Sequence, residues 1–87
     1  MEKSYKIIHQ EGLTAKPANI LAKLTSKLDN EIFIHYDNVT LTTKSTVSIL
    51  SLGVPKGGEI SIIVKGNNAE EIHRTIYNAL KDINVIE

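Results

Sequence analysis

Residues Ser4 to His9 mix β-forming side chains with alternating polar ones, the pattern of a strand with one wet face. Glu11-Gly12-Leu13 breaks that run. From Pro17 the period changes: Ala18, Ile20, Leu21, Leu24 and Leu28 recur at three- and four-residue steps, the apolar stripe of an amphipathic helix. Proline lacks an N–H and is tolerated in a first turn, so the helix is predicted to begin just before Pro17, with Thr14 near its N-cap. Asp29-Asn30 ends it. Glu31–Tyr36 reads as a second strand, Asp37-Asn38 as a tight turn and Val39–Thr43 as a third strand hairpinned onto the second. A short helix follows, with Ser45 near its cap, apolar Val47, Ile49, Leu50 and Leu52, and Gly53 as its stop. Pro55–Gly58 is a loop and Glu59–Lys65 a fourth strand. After the turn Gly66-Asn67-Asn68, the stripe Ala69, Ile72, Ile76, Tyr77 and Leu80 predicts a last helix running to about Asn84.

The resulting order, β-α-β-β-α-β-α, is of the α+β class. The hairpin argues for a four-stranded, mainly antiparallel sheet, an open-faced sandwich with the helices on one face and water on the other. With 87 residues, no internal repeat and no linker composition, the chain is expected to be one domain, residues 1–87.

Charge narrows the function. Ten basic residues balance ten acidic ones, for a net charge of zero. A nucleic-acid binder is usually strongly basic, so no nucleic-acid partner is expected. No polybasic patch or long apolar run points to a membrane, and the N-terminus MEKSYK lacks a signal-peptide core, so a cytoplasmic protein without direct membrane insertion is expected. Cysteine is absent, which removes disulfides and thiolate chemistry.

Two segments are candidates for chemistry. In Gly12-Leu13-Thr14-Ala15-Lys16-Pro17-Ala18 a glycine turn feeds a helix start that carries a hydroxyl and a cation. Free amide groups and the helix dipole favour an anion there, such as a phosphate. The alternative is that Thr14 is an ordinary N-cap whose oxygen accepts a backbone N–H. In Lys44-Ser45-Thr46 the serine is likewise either a plain helix cap or a place where a phosphate would sit against the helix start. His9, His35 and His73 stand apart at no metal-ligand spacing and read as solvated or partly buried. Glu70-Glu71 suits the first turn of the last helix. No cofactor or metal is implied, and neither a catalytic triad nor a paired-carboxylate arrangement is evident, so the chain does not read as an enzyme.

Together the two segments resemble the HPr family, the histidine-containing phosphocarrier proteins of the bacterial sugar phosphotransferase system. The first is similar to the family motif G-[IL]-H-A-R-P-A at five of seven positions. The second, Lys44-Ser45-Thr46-Val47-Ser48-Ile49-Leu50-Ser51-Leu52-Gly53, resembles the regulatory segment K-S-I-M-G-V-M-S-L-G. Their spacing and the chain length match as well. The resemblance implies the HPr-like fold. It also implies a phosphoryl group taken from enzyme I and passed to sugar-specific components, with an arginine steadying the phosphate. It further implies a serine that the HPr kinase/phosphorylase modifies in many Gram-positive bacteria, the modified form then binding a catabolite-control transcription regulator.

Carried over by position, the histidine falls on Thr14, the arginine on Lys16 and the serine on Ser45, with Pro17 and Lys44 matching the motifs. Lys16 keeps the charge but loses the guanidinium fork. Thr14 loses the chemistry: phosphohistidine transfers onward readily, whereas a threonine phosphate is a stable ester, and threonine without a base is a poor nucleophile. Retained Ser45 beside a lost histidine resembles the situation of the Crh-type regulators. The docking patch departs from the family too, with Thr46, Val47 and Leu50 where bulkier apolar residues usually stand beside Ile49 and Leu52. The leading expectation is therefore a regulatory or binding variant controlled at Ser45. A working carrier with another acceptor, and a module that binds an unrelated partner through this patch, are the alternatives.

Overall fold

In the computed structural model, which describes residues 1–87, the elements are β1 (Glu2–Lys6), α1 (Ala15–Ser26), β2 (Ile32–Tyr36), β3 (Val39–Thr42), α2 (Thr46–Ser51), β4 (Glu59–Val64) and α3 (Ala69–Asp82). The predicted order β-α-β-β-α-β-α is the observed one. The strands form one sheet in the order β1-β4-β2-β3, every neighbouring pair antiparallel. The β2–β3 hairpin turns on Asp37 and Asn38, both at positive φ, which matches the twist of the paired strands.

Side chains alternate across a strand, so one face of this sheet carries Ile32, Ile34, Ile60, Ile62 and Val64, all buried. Phe33, His35, Ser61 and Ile63 point the other way and stay half-exposed. Over the apolar face α1 lays Ala18, Leu21 and Ala22, and α3 lays Ile72, Ile76 and Leu80, forming a single core with Ile7, Leu13, Ile49, Val54, Val85 and Ile86.

Three elements differ from the sequence reading by two residues or more at an end. The first strand spans Glu2–Lys6 instead of Ser4–His9, because its partner β4 begins at Glu59, which pairs with Lys6. Beyond that pair the ladder has no strand to continue on, and Ile7 turns inward to bridge Ile86. Helix α1 stops at Ser26, two residues before Leu28: the Leu28 amide turns back to Thr25 O, and the Leu28 carbonyl accepts the Lys44 ammonium at 2.6 Å. Helix α3 ends at Asp82, since Asn84 takes a left-handed φ of 60° and turns the chain so that Val85 and Ile86 are buried against the first segment.

His73 departs from the reading of a solvated or partly buried ring. It is only 1% exposed. Its Nε2 lies 2.9 Å from the Met1 carbonyl, which can only accept, so Nε2 carries the proton and Nδ1 accepts from the Tyr5 hydroxyl at 3.2 Å. That bond holds the edge strand β1 against α3. Burial, with a smaller contribution from neighbouring Tyr77, pushes the Tyr5 phenol above its ordinary ionisation. A raised folded-state value means the stabilisation is complete below the ordinary tyrosine range near 10 and is lost as pH rises through the higher folded value. Tyr5→Phe is expected to lower stability near neutrality by about 1 kcal/mol, for the lost bond to a buried nitrogen. It should also shrink the decline seen above about pH 10. Urea denaturation at neutral and alkaline pH checks both; an alkaline limb as steep in the variant as in the parent would contradict the role given to Tyr5.

Candidate functional site

The segment leading into α1 is held by a close approach of backbones. Gly12 lies at φ 78°, and a Cβ there would sit 2.2 Å from the Val54 carbonyl oxygen, so only glycine fits. The same carbonyl accepts the Leu13 amide at 2.9 Å. Thr14 is thereby delivered as the N-cap residue in an extended conformation, and its carbonyl accepts the Ala18 amide at 3.0 Å.

The Thr14 side chain, however, makes no capping hydrogen bond, contrary to the ordinary-cap reading. A threonine cap bonds the amide two or three residues on. The third residue after Thr14 is Pro17, which has no N–H, and the amides of Ala15 and Lys16 are left without acceptors. Ser45 provides the contrast. At the start of α2 its third residue on is Ser48, and Ser45 Oγ accepts that amide at 3.2 Å.

Helix α1 exposes Lys16, Asn19 and Lys23, with Ile20 half-buried between them. With Ala15 these line an open hollow of about 440 Å³. Helix α2 lies alongside. Thr46 Oγ1 donates to Asn19 Oδ1 at 3.1 Å, and a buried hydroxyl pair joins Thr43 to Thr25 at 3.0 Å. Of the apolar docking residues expected from sequence, Val47 is 77% and Leu50 39% exposed. Ile49 is wholly buried in the core, and Leu52 packs against that core half-buried, so neither widens an exposed patch. Thr46 is half-buried and engaged with Asn19.

Charge is sorted by segment along the chain. The stretches Gly12–Leu28 and Asn38–Gly58 contain Lys16, Lys23, Lys27, Lys44 and Lys56 and no acidic residue, although the chain as a whole is neutral. Sequence reasoning singled out Lys16 and Lys44 and missed Asn19, Ile20 and Lys23. Their signal was present in the helical period: Lys16, Asn19, Ile20 and Lys23 recur at three- and four-residue steps on one face.

None of the three histidines lines the hollow. His9 Nδ1 accepts the Glu11 amide at 3.3 Å, His35 Nδ1 pairs with Thr40 Oγ1 at 2.7 Å on the open sheet face, and His73 is buried under β1. No three His, Asp or Glu side chains gather as metal ligands.

The profile of the family PTS-HPr, described as "PTS HPr component phosphorylation site", matches residues 1–82. The chain belongs to the HPr family. Among solved structures, the histidine-containing phosphocarrier protein of Mycoplasma is 30% identical with a TM-score of 0.95, over 100% of this chain and 99% of that one. The phosphocarrier HPr of Bacillus anthracis is 30% identical with a TM-score of 0.79, covering 87% and 90%. Crh of Bacillus subtilis, named for catabolite repression and described as an intertwined, domain-swapped dimer, aligns over 94% and 93% with a TM-score of 0.71; at 22% identity it attests the fold alone. HPr-family proteins are phosphocarriers of the phosphotransferase system and not themselves catalysts. No helix of this HPr-family chain is long and apolar enough to cross a membrane.

The two helix starts predict opposite responses to alanine. Ser45→Ala removes a formed cap and is expected to cost about 1 kcal/mol. Thr14→Ala removes none and should stay within about 0.5 kcal/mol of the parent. Thermal unfolding of the two variants checks this, and equal losses would contradict the difference in capping.

Proposed function

We propose that this HPr-family chain is a regulatory or binding member of the sugar phosphotransferase system, unable to relay phosphate and controlled by modification of Ser45. The observation that carries the reading is Thr14 at the position of the family's phosphohistidine, beside a hollow that no histidine lines. An imidazole nitrogen attacks a phosphoryl donor directly and yields an N–P bond that breaks easily in the next transfer. A threonine hydroxyl needs a base to remove its proton, and the ester it forms holds the phosphate. His9 Nδ1, His35 Nδ1 and both ring nitrogens of His73 are bonded elsewhere, to Glu11, Thr40, Tyr5 and Met1, and Thr14 makes no hydrogen bond to any histidine.

Ser45 retains the motif environment, with Lys44 before it and α2 after it. Modification would move the γ-phosphoryl group of ATP onto Ser45 Oγ, with ADP leaving and the hydroxyl proton released. The exposed pair Val47 and Leu50 on α2, with exposed Lys16 and Lys23 on the neighbouring α1, suits partners whose docking face is apolar at its centre and acidic at its rim. Enzyme I, the sugar-specific components, the HPr kinase/phosphorylase and a catabolite-control regulator are the partners proposed, in the cytoplasm. A second reading, a carrier using Thr14 itself, draws on the free amides of Ala15 and Lys16 and the Lys16 ammonium, which together favour an anion.

Two phosphorylation reactions followed by intact mass and site mapping test the reading. With ATP and HPr kinase the chain is expected to gain one phosphate at Ser45, and Ser45→Ala to gain none. With phosphoenolpyruvate and enzyme I it is expected to remain unlabelled. Acid-labile or Thr14-borne label from phosphoenolpyruvate would restore the carrier reading, and absence of label in both reactions would leave a binding module outside this chemistry.

A further inference from the structure

The path of the chain across α1 identifies where a charge on Ser45 would be received. Thr43 bonds Thr25 near the end of α1, and Thr46 bonds Asn19 near its beginning. As the chain advances from Thr43 to Thr46 it therefore runs backwards along the helix, and Ser45 crosses between Thr25 and Asn19. Side chains four residues apart on a helix are neighbours on one face, so Lys23 stands one turn from Asn19, beside that crossing. Lys23 is exposed, whereas the adjacent Ala22 is buried.

The other lysines of this side are less well placed. Lys44 is next to Ser45 in sequence, but its ammonium is engaged by the Leu28 carbonyl at 2.6 Å. Lys16 lies seven residues before Lys23, or about 10 Å along the helix axis. Lys27 lies beyond the end of α1. No carboxylate on α1 or α2 competes, because neither helix contains one.

We propose that Lys23 is the cation that receives a phosphate carried on Ser45, joining the start of α2 to the middle of α1 through a charge-assisted hydrogen bond. The inference rests on the reading of Ser45 as a modification site and extends it. The joined pair withdraws Lys23 from the basic face and puts negative charge in its place, so modification weakens the fit to an acidic-rimmed partner.

The test uses the full chain with phosphoserine incorporated at position 45 during synthesis, so that its outcome is independent of whether any kinase modifies the protein. The ³¹P resonance is titrated against pH in the parent and in Lys16→Gln, Lys23→Gln, Lys27→Gln and Lys44→Gln. A neighbouring cation favours the dianion, so loss of the true partner raises the second ionisation of the phosphate. Lys23→Gln is expected to raise it by about 0.3 to 0.6 of a pH unit, the range an exposed ion pair supports, and the other three by less than half as much. A shift from any of the other lysines equal to or larger than that from Lys23, or no shift from Lys23, would overturn the assignment. Either result leaves the kinase experiment on unmodified protein to decide the regulatory reading by itself.

Discussion

A four-stranded sheet with isoleucine or valine at alternate positions has to be covered on one side and can be wetted on the other. Here Ile32, Ile34, Ile60, Ile62 and Val64 impose that demand, and α1 and α3 meet it with Ala18, Leu21, Ile72, Ile76 and Leu80. Everything at the candidate site follows from that covering. Because α1 lies flat on the sheet, one of its faces is committed to the core, and the opposite face, with Lys16, Asn19, Ile20 and Lys23, is turned to solvent. Ile49 of α2 is drawn into the same core, which turns Val47 and Leu50 outward beside α1.

Polar contacts then fix the details that apolar packing leaves loose. The buried hydroxyl pair Thr25–Thr43 has no water to fall back on, so it sets the sliding position of β3 against α1. Lys44 to the Leu28 carbonyl and Thr46 to Asn19 continue the same seam along the surface. At the other end of α1, the fit of Gly12 under the Val54 carbonyl aims the helix start. A single face results, built from two helices and carrying both family motifs.

The two helix starts show how one proline redistributes hydrogen bonds. Pro17 removes one of the two amides a threonine cap can take, the Thr14 hydroxyl does not bond the other, and the amides of Ala15 and Lys16 stay open. The histidine-containing phosphocarrier of Mycoplasma shares the fold at 30% identity and a TM-score of 0.95, so the architecture is kept with threonine at this helix start. The structural demands on the Thr14 side chain are slight, since its backbone alone serves the helix start.

Local pattern and residue type determined the seven elements, their order, the hairpin at Asp37-Asn38 and the cap at Ser45, because these depend on local spacing and on the conformational preferences of single residues. The motif residues Thr14, Lys16, Pro17, Lys44 and Ser45 were legible for the same reason: each motif is contiguous. Tertiary structure decided the rest. The end of β1 at Lys6 depends on where a strand more than fifty residues away begins. The burial of His73 depends on Tyr5 and Met1 crossing over it, and the inward turn of Ile49 depends on α2 packing on the core. Pro17, three residues after Thr14, showed that one of the two capping amides is absent; that Thr14 leaves the other unused is a feature of the folded chain. The grouping of Asn19, Ile20 and Lys23 with Thr46, Val47 and Leu50 was not. It brings together residues of two helices through contacts that no local spacing encodes.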